Sequence, residues 1–279
     1  MRNPTPLKRS PIFIFGPPLI LGTLGLGLVL QSGMFASPEH TIIAQQVEAF
    51  QAQNLTPPTP EMTDYLYPRS TIDFANQQYV VVNKHRELHP IDYAPAILVA
   101  APSSESLDNS RELLLTPATA TALVEMAKDM YEQGYGKLFV NSAYRTYEYQ
   151  TELFQSKTSQ YGLAEALIRS AKAGHSEHQT GLAVDVSVPD QGCAIMQCFG
   201  DTKAGQWIAD NAWRYGFIIR YEKDTTVITG YTYEPWHLRY VGIELTEIYS
   251  QNGIQTLEEF WGLPAAEFYL EEMTESTID

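Results

Sequence analysis

Two histidines and two acids in the second half of the chain have the residue types and spacing for single-metal hydrolysis. The stretch from Gly174 to Val188, GHSEHQTGLAVDVSV, carries His178 and Asp185 on either side of Gly181. From Leu182 the residues alternate, with Leu182, Val184, Val186 and Val188 on one side of a strand. Ala183, Asp185 and Ser187 fall on the other, smaller and more polar side. On one continuous strand His178 and Asp185 would face opposite ways, so a turn at Gly181 is required for them to meet one ion. A third ligand is sought in Tyr231 to Gly242, YTYEPWHLRYVG, which contains Glu234 and His237. Pro235 between them argues against a helix interior, and a bend at Glu234-Pro235 leading into a strand brings both to one cavity. Two imidazoles and one carboxylate with a fourth position open to water is the pattern of a catalytic zinc, whereas structural sites are closed by four protein ligands. The same ligand set serves non-haem iron oxygenases, so residue type alone leaves the metal open.

Other elements must hold these residues in place. Thr116 and Pro117 start a helix that carries Leu123, Met126, Ala127 and Met130 and ends near Gly134. Leu138 to Asn141 reads as a buried strand that delivers Ser142 to Arg145, after which Thr146 caps a helix through about Gln155. A further helix, Ala164 to Ala173, leads into the His178 stretch. Thr202 caps a helix with Trp207, Ile208 and Trp213 that stops at Gly216. Phe217 to Tyr221 and Val227 to Thr229 read as a hairpin around Lys223 and Asp224. Trp236, Leu238 and Tyr240 share one face of the next strand, His237 and Arg239 the other. Closing helices are expected over Ile243 to Gln251 and Leu257 to Trp261, and short strands earlier at Tyr79 to Asn83 and Ala96 to Ala100.

Arg145 offers two parallel donors that match a carboxylate, although on residue type alone a surface salt bridge explains it as well. His175 and Glu177 flank the ligand stretch and read as outer neighbours or solvated groups, while His40, His85 and His89 have no partner pattern. Cys193 and Cys198 lie in a short insertion after the ligand strand. They are a disulfide candidate if the domain is outside the cytoplasm, and no second cysteine pair exists to complete a zinc site.

With 279 residues, 44% hydrophobic and 18% charged, the chain accommodates one large domain with extra segments or two small ones. A net charge of -15 argues against a nucleic-acid partner, because phosphates are bound through clustered lysine and arginine. Arg2, Lys8 and Arg9 precede an uncharged run from Ser10 to Pro38, long enough to cross about 30 Å of bilayer as a helix. Its basic flank would stay in the cytoplasm and the rest would lie outside, with cleavage near Ala36 or Ala44 as the other outcome. The expected organisation is a basic tail over 1–11, an anchor or signal over 12–36, a Gln- and Pro-rich linker over 37–78, a folded domain over 79–262 and a frayed acidic tail over 263–279.

Ser176, His178, Gly181, Ala183 and Asp185 match the SxHxxGxAxD signature, and Glu234 and His237 the ExxH signature, of the VanY-type D-alanyl-D-alanine carboxypeptidases. SAYRTYEYQ, Ser142 to Gln150, resembles the family's third block, and VNKHRELHPIDYAP and NAWRYGFIIRY extend the resemblance over roughly Tyr79 to Gly262. What the resemblance implies is an α+β fold with a central, mainly antiparallel sheet and packed helices, of the kind shared by Hedgehog domains and D,D-peptidases. An N-terminal transmembrane helix would precede it. It implies one zinc held by His178, Asp185 and His237, with Glu234 as the base that takes a proton from water and returns it to the leaving amine. Arg145, with Gln150 and Ser176, would hold the substrate's terminal carboxylate. The expected activity is removal of the C-terminal D-alanine from peptidoglycan stem peptides ending in D-Ala-D-Ala. L,D-cleavage of tetrapeptide stems and a non-catalytic zinc-containing wall-binding module are the alternatives. The protein is expected to act as a monomer, anchored in the cell membrane by a single pass, with its catalytic domain on the extracytoplasmic side.

Overall fold

The computed structural model describes residues 70–275. The expected spanning segment over 12–36 and nearly all of the linker lie outside the described residues, among which no helix is long and apolar enough to cross a membrane.

The chain enters through the short helix α1 (Ser70–Asp73), then forms strands β1 (Val99–Ala100), β2 (Leu107–Asp108) and β3 (Leu114–Leu115) before the long helix α2 (Pro117–Glu132). Strand β4 (Leu138–Ser142) is followed by helices α3 (Tyr147–Tyr161) and α4 (Leu163–Arg169), a 3₁₀ turn over Glu177–Thr180, and strand β5 (Ala183–Ser187). Next come α5 (Lys203–Asn211), β6 (Phe217–Ile219), α6 (Thr226–Thr229) and β7 (His237–Tyr240). Helices α7 (Ile243–Gln251), α8 (Leu257–Phe260) and α9 (Leu270–Glu275) complete the order. Thr116, Thr146 and Thr202 cap α2, α3 and α5 through their hydroxyls, as their spacing before each helical run predicts.

Five strands form the main sheet in the order β2-β4-β5-β7-β6, and only the β2–β4 pair is parallel. The expected mixed fold with a mainly antiparallel sheet and packed helices is therefore present. Strand β5 sits at its centre, and its five residues are all buried. Val184 and Val186, with Val140, Leu238 and Phe217, pack one face of the sheet against Leu123, Met126 and Met130 of α2 and Ile208 of α5. A second apolar cluster joins Ile72, Val81 and Ile218 to residues of α7 and α8. With one face sealed by this core, the alternation of β5 forces Asp185 and Ser187 to the other side.

Four expectations fail. Val227 to Thr229 does not return as a strand. It forms a single helical turn closed by Gly230, and the antiparallel partner of β6 is β7. Tyr79 to Asn83 is not a strand either: Asn83 forms only an isolated bridge with Arg86. The segment after Pro264 is docked rather than frayed as far as it is described, since Ala266 and Tyr269 are fully buried. The Tyr269 hydroxyl accepts from the Lys172 amide at 2.8 Å, and Lys84 Nζ donates to the Glu267 carbonyl at 2.8 Å. The folded body also begins earlier than residue 79, because Ile72 and Ala75 are buried.

Candidate active site

Asp185 is the fixed point of the site. On the sheet it is paired with His237 of β7 on one side and with Ser142 of β4 on the other, beyond a register shift between Val140 and Ser142. Directly opposed residues of an antiparallel pair project to the same face, so His237 and Asp185 meet without further adjustment. His237 Nδ1 lies 3.1 Å from Asp185 Oδ1. His178 arrives from the 3₁₀ turn, which ends at Gly181 in the left-handed region with φ 68. That left-handed conformation, which side chains with a Cβ rarely adopt, calls for glycine there. The turn places His178 Nε2 3.3 Å from Asp185 Oδ2. Glu234 occupies the expected bend: its amide donates to the Tyr221 carbonyl at 2.9 Å and its own carbonyl accepts from the His237 amide at 3.0 Å. Its Oε2 is 3.9 Å from His237 Nδ1.

The two imidazoles are held with opposite nitrogens toward the centre. His178 Nδ1 lies 2.7 Å from the Ala143 carbonyl, which can only accept, so the proton sits on Nδ1 and Nε2 keeps its lone pair. His237 Nε2 lies 3.2 Å from Glu177 Oε2, an acceptor as well, so in the neutral ring Nδ1 is the free donor of electrons. One nitrogen of each ring and an Asp185 oxygen all fall within 4.8 Å of one another. Two ring nitrogens, one carboxylate oxygen and a side open to the cavity fit a three-ligand catalytic zinc site, and outer hydrogen bonds orient both rings as such sites require.

The electrostatics follow from burial and close pairing. Burial lowers the His178 pKa to about 4, and the Arg145 charge lowers it further. Burial alone would lower that of His237 too, but its hydrogen bonds to Asp185 and Glu177 outweigh this and raise it to about 9. Burial pushes the Glu234 carboxyl up to about 7, partly offset by His237. Asp185 is held well below the usual carboxylate range, the cost of its burial being overcome by His178 and His237.

Arg145 stands at the lip of the same cavity, of about 410 Å³, which Ser176, Glu234 and the three ligands also line. Its Nε donates to Ser142 Oγ at 3.0 Å, Nη1 to Gln150 Oε1 at 3.1 Å and Nη2 to Asp185 Oδ2 at 3.1 Å. Gln150 is thus a support for Arg145 rather than a wall of the cavity. It is fully buried, and its amide donates to Ser170 Oγ at 3.3 Å and the Ala171 carbonyl at 2.7 Å. Cys193 and Cys198 form the expected disulfide, and Ile195 within that loop lines the cavity.

Glu177, read from the sequence as an outer neighbour of the ligands or a solvated group, is the former. It is not solvated: its carboxylate is fully buried, with Oε1 accepting from Arg220 Nε and Arg239 Nη1, both at 2.8 Å. Burial opposes its ionisation, but Arg239 and Arg220 hold it far below the usual range. Arg220 in turn forms a fork on Glu258, with Nη1 at 2.9 Å and Nη2 at 2.7 Å. One signal for this was legible, since Arg239 alternates onto the same face as His237 and a cation there needs a buried acid.

The fold and site define a single-metal hydrolase in which His178, Asp185 and His237 face one cavity together with Glu234 and Arg145. The VanY family profile, D-alanyl-D-alanine carboxypeptidase, matches residues 112–243. The chain is 37% identical over 195 residues to the putative carboxypeptidase YodJ of Bacillus subtilis, covering 70% of this chain and 68% of that one. It is 34% identical to the bifunctional D-Ala-D-Ala dipeptidase and D-Ala-D-Ala carboxypeptidase VanXYC of Enterococcus gallinarum, covering 64% of this chain and 91% of that one. Among solved structures it is similar to the LdcB LD-carboxypeptidase, with a TM-score of 0.61 and 38% identity over 67% of this chain and 87% of that one. The chain belongs to the VanY-type D-alanyl-D-alanine carboxypeptidase family. It is a zinc metallocarboxypeptidase.

Proposed function

We propose that this chain removes the terminal D-alanine from peptidoglycan stem peptides ending in D-Ala-D-Ala, as a monomer whose N-terminal segment anchors it at the outer side of the cell membrane. The observation that carries the substrate reading is the state of Arg145 beside the ligand cluster. Three of its five N–H groups are used, by Ser142, Gln150 and Asp185, which leaves one on each terminal nitrogen. Such a pair matches the two oxygens of a free C-terminal carboxylate and has no use on an internal peptide bond.

When bound, zinc supplies Lewis-acid chemistry, lowering the pKa of a coordinated water to about 7 and polarising a carbonyl. The chain's own residues do the rest. Arg145, locked by its neighbours, fixes the terminal residue so that the bond one residue inward lies over the ligand cluster. Ser176, on the cavity wall, offers a hydroxyl to the same end of the substrate. Glu234 Oε2, facing the cavity beside His237, takes the proton from the attacking water and returns it to the leaving amine.

L,D-cleavage is the second reading, favoured by the similarity to LdcB, an LD-carboxypeptidase. Both reactions release D-alanine with a free carboxylate, so Arg145 serves either. The experiment that decides is D-alanine release by the zinc-loaded protein from a pentapeptide ending in D-Ala-D-Ala and from a tetrapeptide with a single D-Ala after an L-centre. Faster release from the pentapeptide supports the proposal; release from the tetrapeptide alone moves the assignment to L,D-trimming.

A further inference from the structure

Strand β4 runs further than one of its neighbours can follow. Strand β5 pairs with it from Phe139 to Ser142, whereas β2 reaches only Leu138 and Phe139. Arg111, in the turn between β2 and β3, takes up carbonyls just past that point. Its Nη2 donates to the Val140 carbonyl at 3.1 Å and also to the Asn141 carbonyl. The guanidinium rests 5.7 Å from the centroid of the Phe139 ring. The turn that presents Arg111 is itself fixed, because the amide of the buried Asn109 donates to the Ala101 carbonyl at 3.1 Å and the Leu113 carbonyl at 3.0 Å.

Successive carbonyls of a regular strand point to opposite edges, so a single nitrogen does not meet both. The double contact of Arg111 marks a place where the strand is interrupted. The pairing shows the same interruption: Val140 stands opposite Val186, but Asp185 is opposed by Ser142 instead of Asn141. One extra residue is accommodated in β4, which makes this a bulge. Without it Ser142 would share the face of Val140, which is buried in the main core. With it, Asn141 and Ser142 both line the cavity. There Ser142 Oγ accepts from Arg145 Nε at 3.0 Å, and Asn141 Nδ2 donates to Ser187 Oγ at 2.7 Å. The bulge turns a core position into a support of Arg145.

We propose that Arg111 is a positioning residue for substrate binding: by clamping the Val140 and Asn141 carbonyls it holds the bulge that keeps Ser142 on Arg145, and so sets the grip of Arg145 on the terminal carboxylate. Arg111 is itself exposed and is not among the residues that line the cavity, so it acts through β4 alone. The chain of contacts is short, from Arg111 to two carbonyls, from Ser142 to Arg145, and from Arg145 to the substrate. This inference rests on the reading of Arg145 as the carboxylate-binding group.

Two matched peptides ending in D-Ala-D-Ala, one with a free carboxylate and one with a C-terminal carboxamide, test it. Their affinities are measured calorimetrically on the zinc-loaded full chain carrying Glu234→Gln, so that neither is consumed, with Arg111 intact or replaced. With Arg111 the carboxylate peptide is expected to bind about tenfold tighter than the carboxamide. In Arg111→Ala this preference should shrink about fivefold, through weaker binding of the carboxylate peptide alone and with zinc affinity unchanged. In Arg111→Lys, whose ammonium can still donate to both carbonyls, most of the preference should return. A merely structural role would weaken both peptides alike and lower zinc affinity with them. That result would overturn the inference, as would a full preference surviving in Arg111→Ala. No preference even with Arg111 would remove the carboxylate reading of Arg145 instead. Hydrogen exchange of the amides from Ser142 to Arg145 would then still decide on the clamp: faster in Arg111→Ala if Arg111 holds the bulge, unchanged if it does not.

Discussion

His237 Nε2 lies 3.2 Å from Glu177 Oε2, deep in the protein, while its Nδ1 faces Asp185 and the cavity. A buried carboxylate behind a ligand histidine fixes both the tautomer and the ring plane, and Glu177 is itself fixed by two arginines. Glu177→Gln is therefore expected to weaken zinc binding by about 10–100-fold in competition with a chelator, with the fold retained. Glu177→Ala, which leaves Arg220 and Arg239 facing each other without their acid, should cost roughly 3–5 kcal/mol of stability in denaturant unfolding. Unchanged zinc affinity in the glutamine variant would reduce Glu177 to a structural charge.

Arg145 and Gln150 are expected to separate kinetically. Arg145→Lys keeps the charge but loses the fork, and its KM for a D-Ala-D-Ala peptide should rise at least tenfold, about 1.4 kcal/mol, in steady-state assays. Gln150→Ala removes one of the three supports of that guanidinium without touching the cavity wall, so its effect should be smaller. An equal or larger loss in Gln150→Ala would mean that Gln150 itself meets the substrate.

The docked C-terminal segment gives a pH signature of its own, outside the ligand cluster. Lys84 is 2% exposed, under the carbonyl of Glu267 and beside the rings of Tyr231 and Tyr269, and burial lowers its pKa from 10.5 to about 8. Below pH 8 folded and unfolded chains both carry the proton, and the cost of burying the charge is fully present. Between about 8 and 10.5 the folded chain has released it and the unfolded chain has not, so this group adds stability as pH rises. Between pH 7 and 9.5 the wild type should gain about 2 kcal/mol relative to Lys84→Met in urea unfolding. A difference that does not change with pH would contradict this.

The sequence made much of this architecture legible because local signals agreed with the tertiary result. Threonines 116, 146 and 202 stood before helical runs, and the alternation around Asp185 matched a strand with one sealed face. The failures were places where distant contacts decide. Val227, Ile228 and Thr229 have side chains suited to a strand, yet the Thr229 hydroxyl donates to the Thr225 carbonyl and Gly230 closes the turn in the left-handed region. His178 with Asp185, and Glu234 with His237, could each be singled out because a turn and a bend keep each pair close in sequence, and the two matched motifs joined the pairs. Glu177 could not be assigned in the same way, since its arginines lie 43 and 62 residues further along the chain.

The central claim is that Glu234 moves the proton in a zinc-dependent release of D-alanine. Its direct test compares the zinc-loaded wild type with Glu234→Gln on a pentapeptide ending in D-Ala-D-Ala, measuring bound zinc, peptide affinity and free D-alanine together. The account predicts zinc and peptide binding close to wild type with release slowed by about 10²–10⁴-fold. Full turnover by the glutamine variant would contradict it.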